Sequence, residues 1–149
     1  MKNKLAWAAG IIDGEGCLSI HKRNPGFPDK SLAKSPIYRV DIKVKMIHKP
    51  AIYRLRKIFK SGKLYREPPG KHNVRIAWVW RCYGVDVLPV IKMVLPFLFI
   101  KRAEAIAIVR FLKYNSPTIA RRLGVTPKTL LYRETAYKNL RRLKQFEWK

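Results

Sequence analysis

The chain has 149 residues, of which 33 are Lys or Arg and 9 are Asp or Glu, so its formal net charge is +24. This length predicts one domain, and a hydrophobic content of 48% excludes a disordered basic tail. The positive charge indicates a polyanionic partner, most often nucleic acid, because phosphate contacts release condensed counterions. A ribosomal protein or a protein bound to a membrane surface has the same charge balance, so charge alone leaves these classes open.

Cysteine usage and hydropathy indicate the compartment. Cys17 and Cys82 are far apart and lack CxxC spacing, which favours reduced thiols over a disulfide framework. They form no ligand cluster with the histidines, so zinc is not expected. The apolar segment 85–100 is interrupted by charged residues and prolines, so no membrane span is expected. We therefore expect a soluble intracellular protein, in the cytoplasm or in an organelle stroma or matrix.

Apolar residues recur with a helical or a strand period in eight consecutive segments. Alternation of polar and apolar residues is typical of half-buried strands, and spacing of three and four residues is typical of amphipathic helices. Pro, Gly and Ser mark the turns between these segments. In chain order, the predicted elements are a helix over 4–12 that ends at Asp13 and Gly14, strands over 17–23 and 38–46, a helix from Pro50 to a stop at Ser61-Gly62, strands over 63–66 and 74–82, and helices over 85–94 and 102–114.

This order predicts an α/β (α+β) fold with an α-β-β-α-β-β-α core and a one-sided, four-stranded antiparallel sheet. Three strands place apolar residues on one face and mainly basic or polar residues on the other, so helices are expected to cover the apolar face. A basic sheet face suits DNA, because β-ribbons fit the major groove, whereas an ordinary solvated face is the alternative. The candidate DNA-binding residues are Ser19, His21, Arg23, Arg39, Lys43, Lys45, Tyr65, Arg75 and Arg81.

Residues 8–16 read Ala-Ala-Gly-Ile-Ile-Asp-Gly-Glu-Gly and combine small residues with two carboxylates. Four residues at i, i+3, i+4 and i+7 leave one helix face almost without side chains, namely Ala6, Ala9, Gly10 and Asp13. Two such helices can approach closely. Asp13 and Glu15 are expected just past the helix end, where two copies related by a two-fold axis would present paired carboxylates, as Mg²⁺ prefers beside phosphate. The alternative is a packing helix followed by a solvated acidic turn.

This segment resembles the motif of the LAGLIDADG homing endonucleases, with Gly14 as an allowed variant and Ala8 in place of the leading leucine. The predicted element order is that of the family's core. Residues 95–105 resemble its second landmark, a proline-aromatic-leucine segment before a lysine at the start of the last core helix, and residues 44–59 resemble its strand-to-helix passage. The resemblance covers about residues 4–114. A single motif implies a homodimer.

The resemblance implies a site-specific endonuclease that cuts double-stranded DNA with Mg²⁺ or Mn²⁺. Glu15 would be a metal ligand shared between two half-sites, assisted by the Gly14 carbonyl. Lys101 would stabilise charge on the phosphate or organise the attacking water. Asp13 would close the motif helix and steady the dimer interface. Family members often have a polar residue, commonly glutamine, near the end of the second strand, where this chain has Met46.

Residues 116–149 predict a basic helical extension after an endonuclease core over residues 1–115. Within it, residues 116–131 have the pattern of a helix-turn-helix core, in which Gly124 makes the turn. We favour the plainer alternative of two helices joined by a loop and packed on the core.

Two other functions compete with the nuclease. One is a catalytically inactive DNA-binding protein or an intron-RNA splicing factor (a maturase) on the same fold, which Met46 favours. The other is a ribosomal-type RNA binder, which leaves the motif and Lys101 unexplained. Glu15 and Lys101 favour the nuclease.

Overall fold

A computed structural model describes residues 1–25, 35–70, 74–114 and 125–145 of the chain. The order of elements confirms the predicted α-β-β-α-β-β-α core, followed by a helical extension. In chain order they are α1 (Lys2–Glu15), β1 (Gly16–Arg23), β2 (Ile37–Met46), α2 (Lys49–Phe59), β3 (Lys63–Glu67), β4 (Ala77–Tyr83), α3 (Val87–Val94), α4 (Arg102–Tyr114) and α5 (Pro127–Lys144). A 3-10 turn at Gly84–Asp86 leads into α3.

The four strands form one antiparallel sheet in the order β1-β2-β4-β3. Strand alternation separates two faces. One face carries Leu18, Ile42 and Trp80, which are at most 1% exposed and pack with residues of all five helices. The other, which we call the open face, carries the alternate residues of each strand, namely Cys17, Ser19, His21 and Arg23 in β1, Ile37, Arg39, Asp41, Lys43 and Lys45 in β2, Lys63, Tyr65 and Glu67 in β3, and Ala77, Val79, Arg81 and Tyr83 in β4. The one-sided sheet is therefore confirmed.

Helix α2 begins and ends where its sequence indicates. Pro50 lies in its first turn, and the His48 ring nitrogen Nδ1 accepts the Ala51 backbone N–H at 3.3 Å. Beyond the helix, Lys60 has a φ of 53° and Gly62 a φ of 85°. These two left-handed residues turn the chain into β3.

Two predicted boundaries are wrong. Helix α1 continues through Asp13 and Gly14 to Glu15, because the close approach of the chain occurs at Gly16, where a Cβ atom would lie 2.4 Å from the Ile12 carbonyl oxygen. Strand β4 begins at Ala77 rather than at residue 74. Apolar alternation continues before the strand, yet none of the described strands pairs with residues 74–76.

Helix α5 is part of the same core. Leu140 is 2% exposed within the main hydrophobic cluster, and the Tyr137 ring meets the Tyr38 ring edge-on at 6.2 Å. Glu134 accepts hydrogen bonds from Lys22 at 2.7 Å and from the Tyr38 hydroxyl at 2.5 Å. The predicted helix-turn-helix falls largely on residues 115–124, which lie outside the described ranges, so that prediction is not tested.

Neither cysteine forms a disulfide. Cys17 is exposed and Cys82 is buried, and burial raises the pKa of the Cys82 thiol to about 11. Within the described ranges, no helix has the length and apolar character needed to cross a bilayer.

Substitution of the two left-handed glycines tests the packing around Trp80. A Cβ atom at Gly62 would lie 2.5 Å from Trp80 Nε1, whereas one at Gly84 meets nothing within 4 Å. We expect Gly84→Ala to lower the free energy of unfolding by about 1 kcal/mol, from backbone strain alone. We expect Gly62→Ala to cost about 3 kcal/mol, because overpacking adds to the strain. Urea denaturation measures both, and equal losses would contradict the close packing.

Candidate nucleic-acid interface and catalytic site

Asp13 joins the end of α1 to the segment that precedes α4. Its buried carboxylate accepts the backbone N–H of Phe99 at 2.7 Å and that of Lys101 at 2.9 Å. The Lys101 ammonium in turn donates to the Asp13 backbone carbonyl. Two of these hydrogen bonds hold Lys101, and the third holds Phe99, against the last turn of α1. Because both Asp13 oxygens accept hydrogen bonds within the chain, this carboxylate is a structural group and a poor metal ligand.

Glu15 is the last residue of α1 and is exposed. Among the residues that the structure describes, it has no hydrogen-bond or ion-pair partner. A carboxylate at a helix C-terminus meets the negative end of the helix dipole, and the last turn of α1 contains no basic residue. A cation bound here would relieve that repulsion. Gly14, also exposed, leaves the space beside Glu15 open, since a Cβ atom there would meet nothing within 4 Å.

The donors at this helix end fit half of a divalent-metal site. The described part of one chain contains no group of three or more His, Cys, Asp or Glu residues able to hold a metal. It offers the Glu15 carboxylate and the adjacent Gly14 carbonyl. Magnesium is commonly bound by one or two protein carboxylates, with water and substrate phosphate as the remaining ligands. One chain therefore supplies fewer ligands than such a site needs.

The small residues of α1 lie on two different faces. Ala6 and Gly10 are exposed, whereas Ala9 and Asp13 are buried in the core of the same chain. Of the four predicted interface residues, only Ala6 and Gly10 are thus accessible to a second copy. Gly14 extends the accessible stripe by one turn, and a Cβ atom at Gly10 would meet nothing within 4 Å. The expectation that Asp13 and Glu15 lie past the helix end was wrong, because both belong to its last turn.

Two carboxylates organise the basic residues of the open face. The buried Asp41 carboxylate accepts Arg81 Nε at 2.5 Å and lies 2.9 Å from His21 Nε2. Glu67 binds the Lys43 ammonium at 2.9 Å and also that of Lys45. Hydrogen bonds from Lys45 and Lys43 lower the pKa of the Glu67 carboxyl.

These two acids were not predicted as site residues, and they hold four of the predicted DNA-binding side chains in place. Strand alternation puts Asp41 and Glu67 on the open face, which is the signal that was available. Their partners depend on the strand order, which alternation does not give.

The other predicted DNA-binding residues divide into three groups. Arg39 and Tyr65 are exposed on the open face, while Ser19 and Arg23 are half-buried on it. Arg75 is exposed but precedes β4, so it does not belong to the strand face to which it was assigned.

Met46, at the end of β2, packs against the hydrophobic core and supplies no polar group there.

The two acidic residues of α1 are expected to respond differently to neutralisation. Asp13→Asn removes the charge that accepts two backbone N–H groups, so we expect a loss of about 2 kcal/mol in the free energy of unfolding. Glu15→Gln, two residues away, should change that free energy by less than about 0.5 kcal/mol because the side chain is exposed. Thermal and urea unfolding of the two variants check this, and a larger loss for Glu15→Gln would refute the assignment of Asp13 as the structural group.

No family model and no curated protein matches the chain. Solved structures do match. The homing endonuclease I-CvuI, solved with its target and calcium and also with magnesium and uncleaved DNA, aligns with a TM-score of 0.78 and 18% identity over 99% of this chain and 86% of that chain. The archaeal intron-encoded homing endonuclease I-Vdi141I, complexed with DNA, has a TM-score of 0.75 and 10% identity over 99% of this chain and 87% of that chain.

A third match differs in length. The LAGLIDADG homing endonuclease I-GzeII, in complex with its DNA target, has a TM-score of 0.65 and 14% identity over 89% of this chain but 43% of that chain. The resemblance drawn from the motif is thereby confirmed at the level of the fold. This chain has the fold of the LAGLIDADG homing endonucleases.

Proposed function

We propose that the chain is a site-specific endonuclease that cuts both strands of duplex DNA as a homodimer with Mg²⁺ or Mn²⁺. The observation that carries the proposal is the arrangement at the end of α1. There an exposed carboxylate, Glu15, has no partner among the described residues, and Asp13 holds the cation Lys101 beside the same turn. A fold without a cutting role has no evident need for an unpaired carboxylate at the negative end of a helix.

The open face is the surface proposed to bind DNA. Arg39 is exposed on it, and the side chains held by Asp41 and Glu67 are already oriented before DNA arrives. Arg81 is suited to guanine, which presents two acceptors in the major groove, and oriented guanidinium groups lose less entropy on binding. The carboxylates discourage contact at unmatched positions, because an unpaired acid facing a phosphate or base acceptor is repelled.

Each chain would contribute two groups to hydrolysis of one phosphodiester. When bound, the metal supplies Lewis-acid polarisation of the phosphate and activation of water. Glu15 would place the metal between the two copies. Lys101, held by Asp13, would bring a fixed positive charge to the phosphate oxygens as negative charge develops. The hydrogen bonds to Asp13 let this charge act without further reorganisation of the loop.

The homodimer follows from the number of carboxylates. One chain supplies one free Glu15, and two cuts need two such groups close together. The accessible stripe of Ala6, Gly10 and Gly14 on α1 lets a second α1 approach closely, which brings the two Glu15 residues toward one axis. Alignment to less than half of I-GzeII supports an assembly of two copies. The target is then an approximate palindrome with half-sites about one helical turn apart.

A non-cleaving DNA-binding protein or an intron-RNA splicing factor on the same fold is the second candidate. Met46 favours it, because a core-packed methionine cannot position water. Lys45 lies next to it on the open face but is bound to Glu67. The ribosomal-type RNA binder is not supported, since the matched structures reported above are of homing endonucleases.

Neutralising Glu15 separates the nuclease from the non-cleaving candidate. Target duplexes are first selected from a randomised palindromic library by binding in Ca²⁺, and then incubated with protein in Mg²⁺ or Mn²⁺. We expect the wild type to cut both strands and Glu15→Gln to lose at least about 10³-fold in rate, with affinity in Ca²⁺ within about threefold of wild type. Failure of the wild type to cut any selected duplex supports the non-cleaving candidate, and full cutting by Glu15→Gln excludes Glu15 as the metal ligand.

A bulky side chain at Gly10 tests the homodimer. We expect Gly10→Leu to convert a dimer to a monomer in sedimentation experiments, because leucine holds two α1 helices apart. Its fold should survive, since a Cβ atom at Gly10 has open space within the chain. Gly70→Leu is the matched control, because Gly70 is equally open but lies outside α1. A wild-type monomer on DNA, or a Gly10→Leu dimer, would contradict this interface.

A further inference from the structure

Lys144, near the end of α5, reaches the first residues of β1. Its ammonium lies 3.3 Å from Cys17 Sγ and 3.3 Å from Ser19 Oγ, both on the open face. Cys17 is two residues beyond Glu15 in the chain. The Lys144 ammonium therefore lies over the start of β1, the strand that directly follows α1.

Glu104 connects this cation to the other side of the site. It belongs to the first turn of α4, three residues after Lys101, and its side chain is 14% exposed. Its Oε2 atom is closed to solvent and has no hydrogen-bond partner in the described part of the chain, and the Lys144 ammonium lies 4.0 Å from it. Burial raises the pKa of the Glu104 carboxyl, while the charges of Lys144 and Lys101 act in the opposite direction.

A buried carboxylate is costly unless cations compensate it, so Glu104 needs an explanation. The Lys144 ammonium, 4.0 Å away, provides this compensation at the start of α4. Lys144 is itself only 31% exposed, and a partly desolvated ammonium attracts a phosphate more strongly than a fully solvated one. Lys138, on the same helix, is different, because its 64% exposed side chain pairs with Glu134 at 3.7 Å.

We propose that Lys144 belongs to the cleavage site, where it binds a DNA phosphate next to the one that is cut, and that Glu104 positions it. This inference rests on the proposed endonuclease function. It makes α5 a contributor to the site rather than a separate DNA-binding module. Glu104 is a positioning residue, since it acts through Lys144.

The first test compares three lysine variants under single-turnover conditions with saturating protein, selected duplex and Mg²⁺. We expect Lys144→Ala to lower the cleavage rate constant by at least about tenfold, and Lys144→Arg to return to within about threefold of wild type. Lys138→Ala removes one charge from the same helix and should leave the rate constant unchanged. Equal rate constants for Lys144→Ala and Lys138→Ala would overturn the proposal.

The second test does not need cleavage. Single phosphates of the selected duplex are replaced in turn by uncharged methylphosphonates, and affinity is measured in Ca²⁺ for wild type and for Lys144→Ala. At the phosphate that Lys144 binds, the methylphosphonate should lower the affinity of the wild type about tenfold. The same methylphosphonate should lower the affinity of Lys144→Ala very little, because the contact is already lost. The effects of the methylphosphonate and of the substitution are then not additive. Additivity at every phosphate would overturn the contact. If the wild type does not cut DNA, the proposed function fails. The affinity comparison still shows whether Lys144 contacts a phosphate.

Glu104→Gln tests the positioning role, with thermal unfolding as a check on the fold. Once the charge is removed, Lys144 should lose its fixed position. The cleavage rate constant should then fall, and adding Lys144→Ala should cost less than it does in wild type. If the effects of Glu104→Gln and Lys144→Ala on the cleavage rate constant are additive in a folded protein, Glu104 does not position Lys144.

Discussion

The hydrogen bonds between the Asp13 carboxylate and the backbone of Phe99 and Lys101 are the constraint on which the site depends. They tie the last turn of α1 to the start of α4, two segments 88 residues apart in the chain. Through them, one buried acid determines where the free acid, Glu15, and the cation, Lys101, lie relative to each other. Of the two acidic residues of the motif, one is thus structural and the other is the proposed metal ligand.

The open face follows the same rule of buried or half-buried acids holding basic groups. With a net charge of +24, the chain would repel itself wherever its cations cluster without relief. Asp41 and Glu67 relieve that repulsion within the sheet, and Glu104 does so at the start of α4. Few acids are present, and these three lie among the cations proposed to bind DNA. They stabilise the folded chain and fix the geometry of the groups proposed to contact DNA.

The elements themselves were predictable from the sequence because strand and helix periods are local. The end of α1 was not predictable, because Gly14 permits the chain to leave the helix but does not require it. The helix ends instead at Gly16, where the chain approaches Ile12 closely. The pairing of Asp41 with Arg81 was beyond reach for another reason. It requires that β2 lie beside β4, a fact of strand order. The position of Lys144 over Ser19 joins residues 125 apart, and no local pattern records such a contact.

The burial of Leu140 has a consequence for biosynthesis. This side chain fills part of the core that lies beneath the sheet, so the nascent polypeptide cannot close that core before α5 has emerged from the ribosome. Until then the basic strands have no complete support, and a polypeptide released before α5 would expose apolar surface to solvent. Premature termination within the last helix therefore impairs folding of the whole chain, rather than removing a separate appendage.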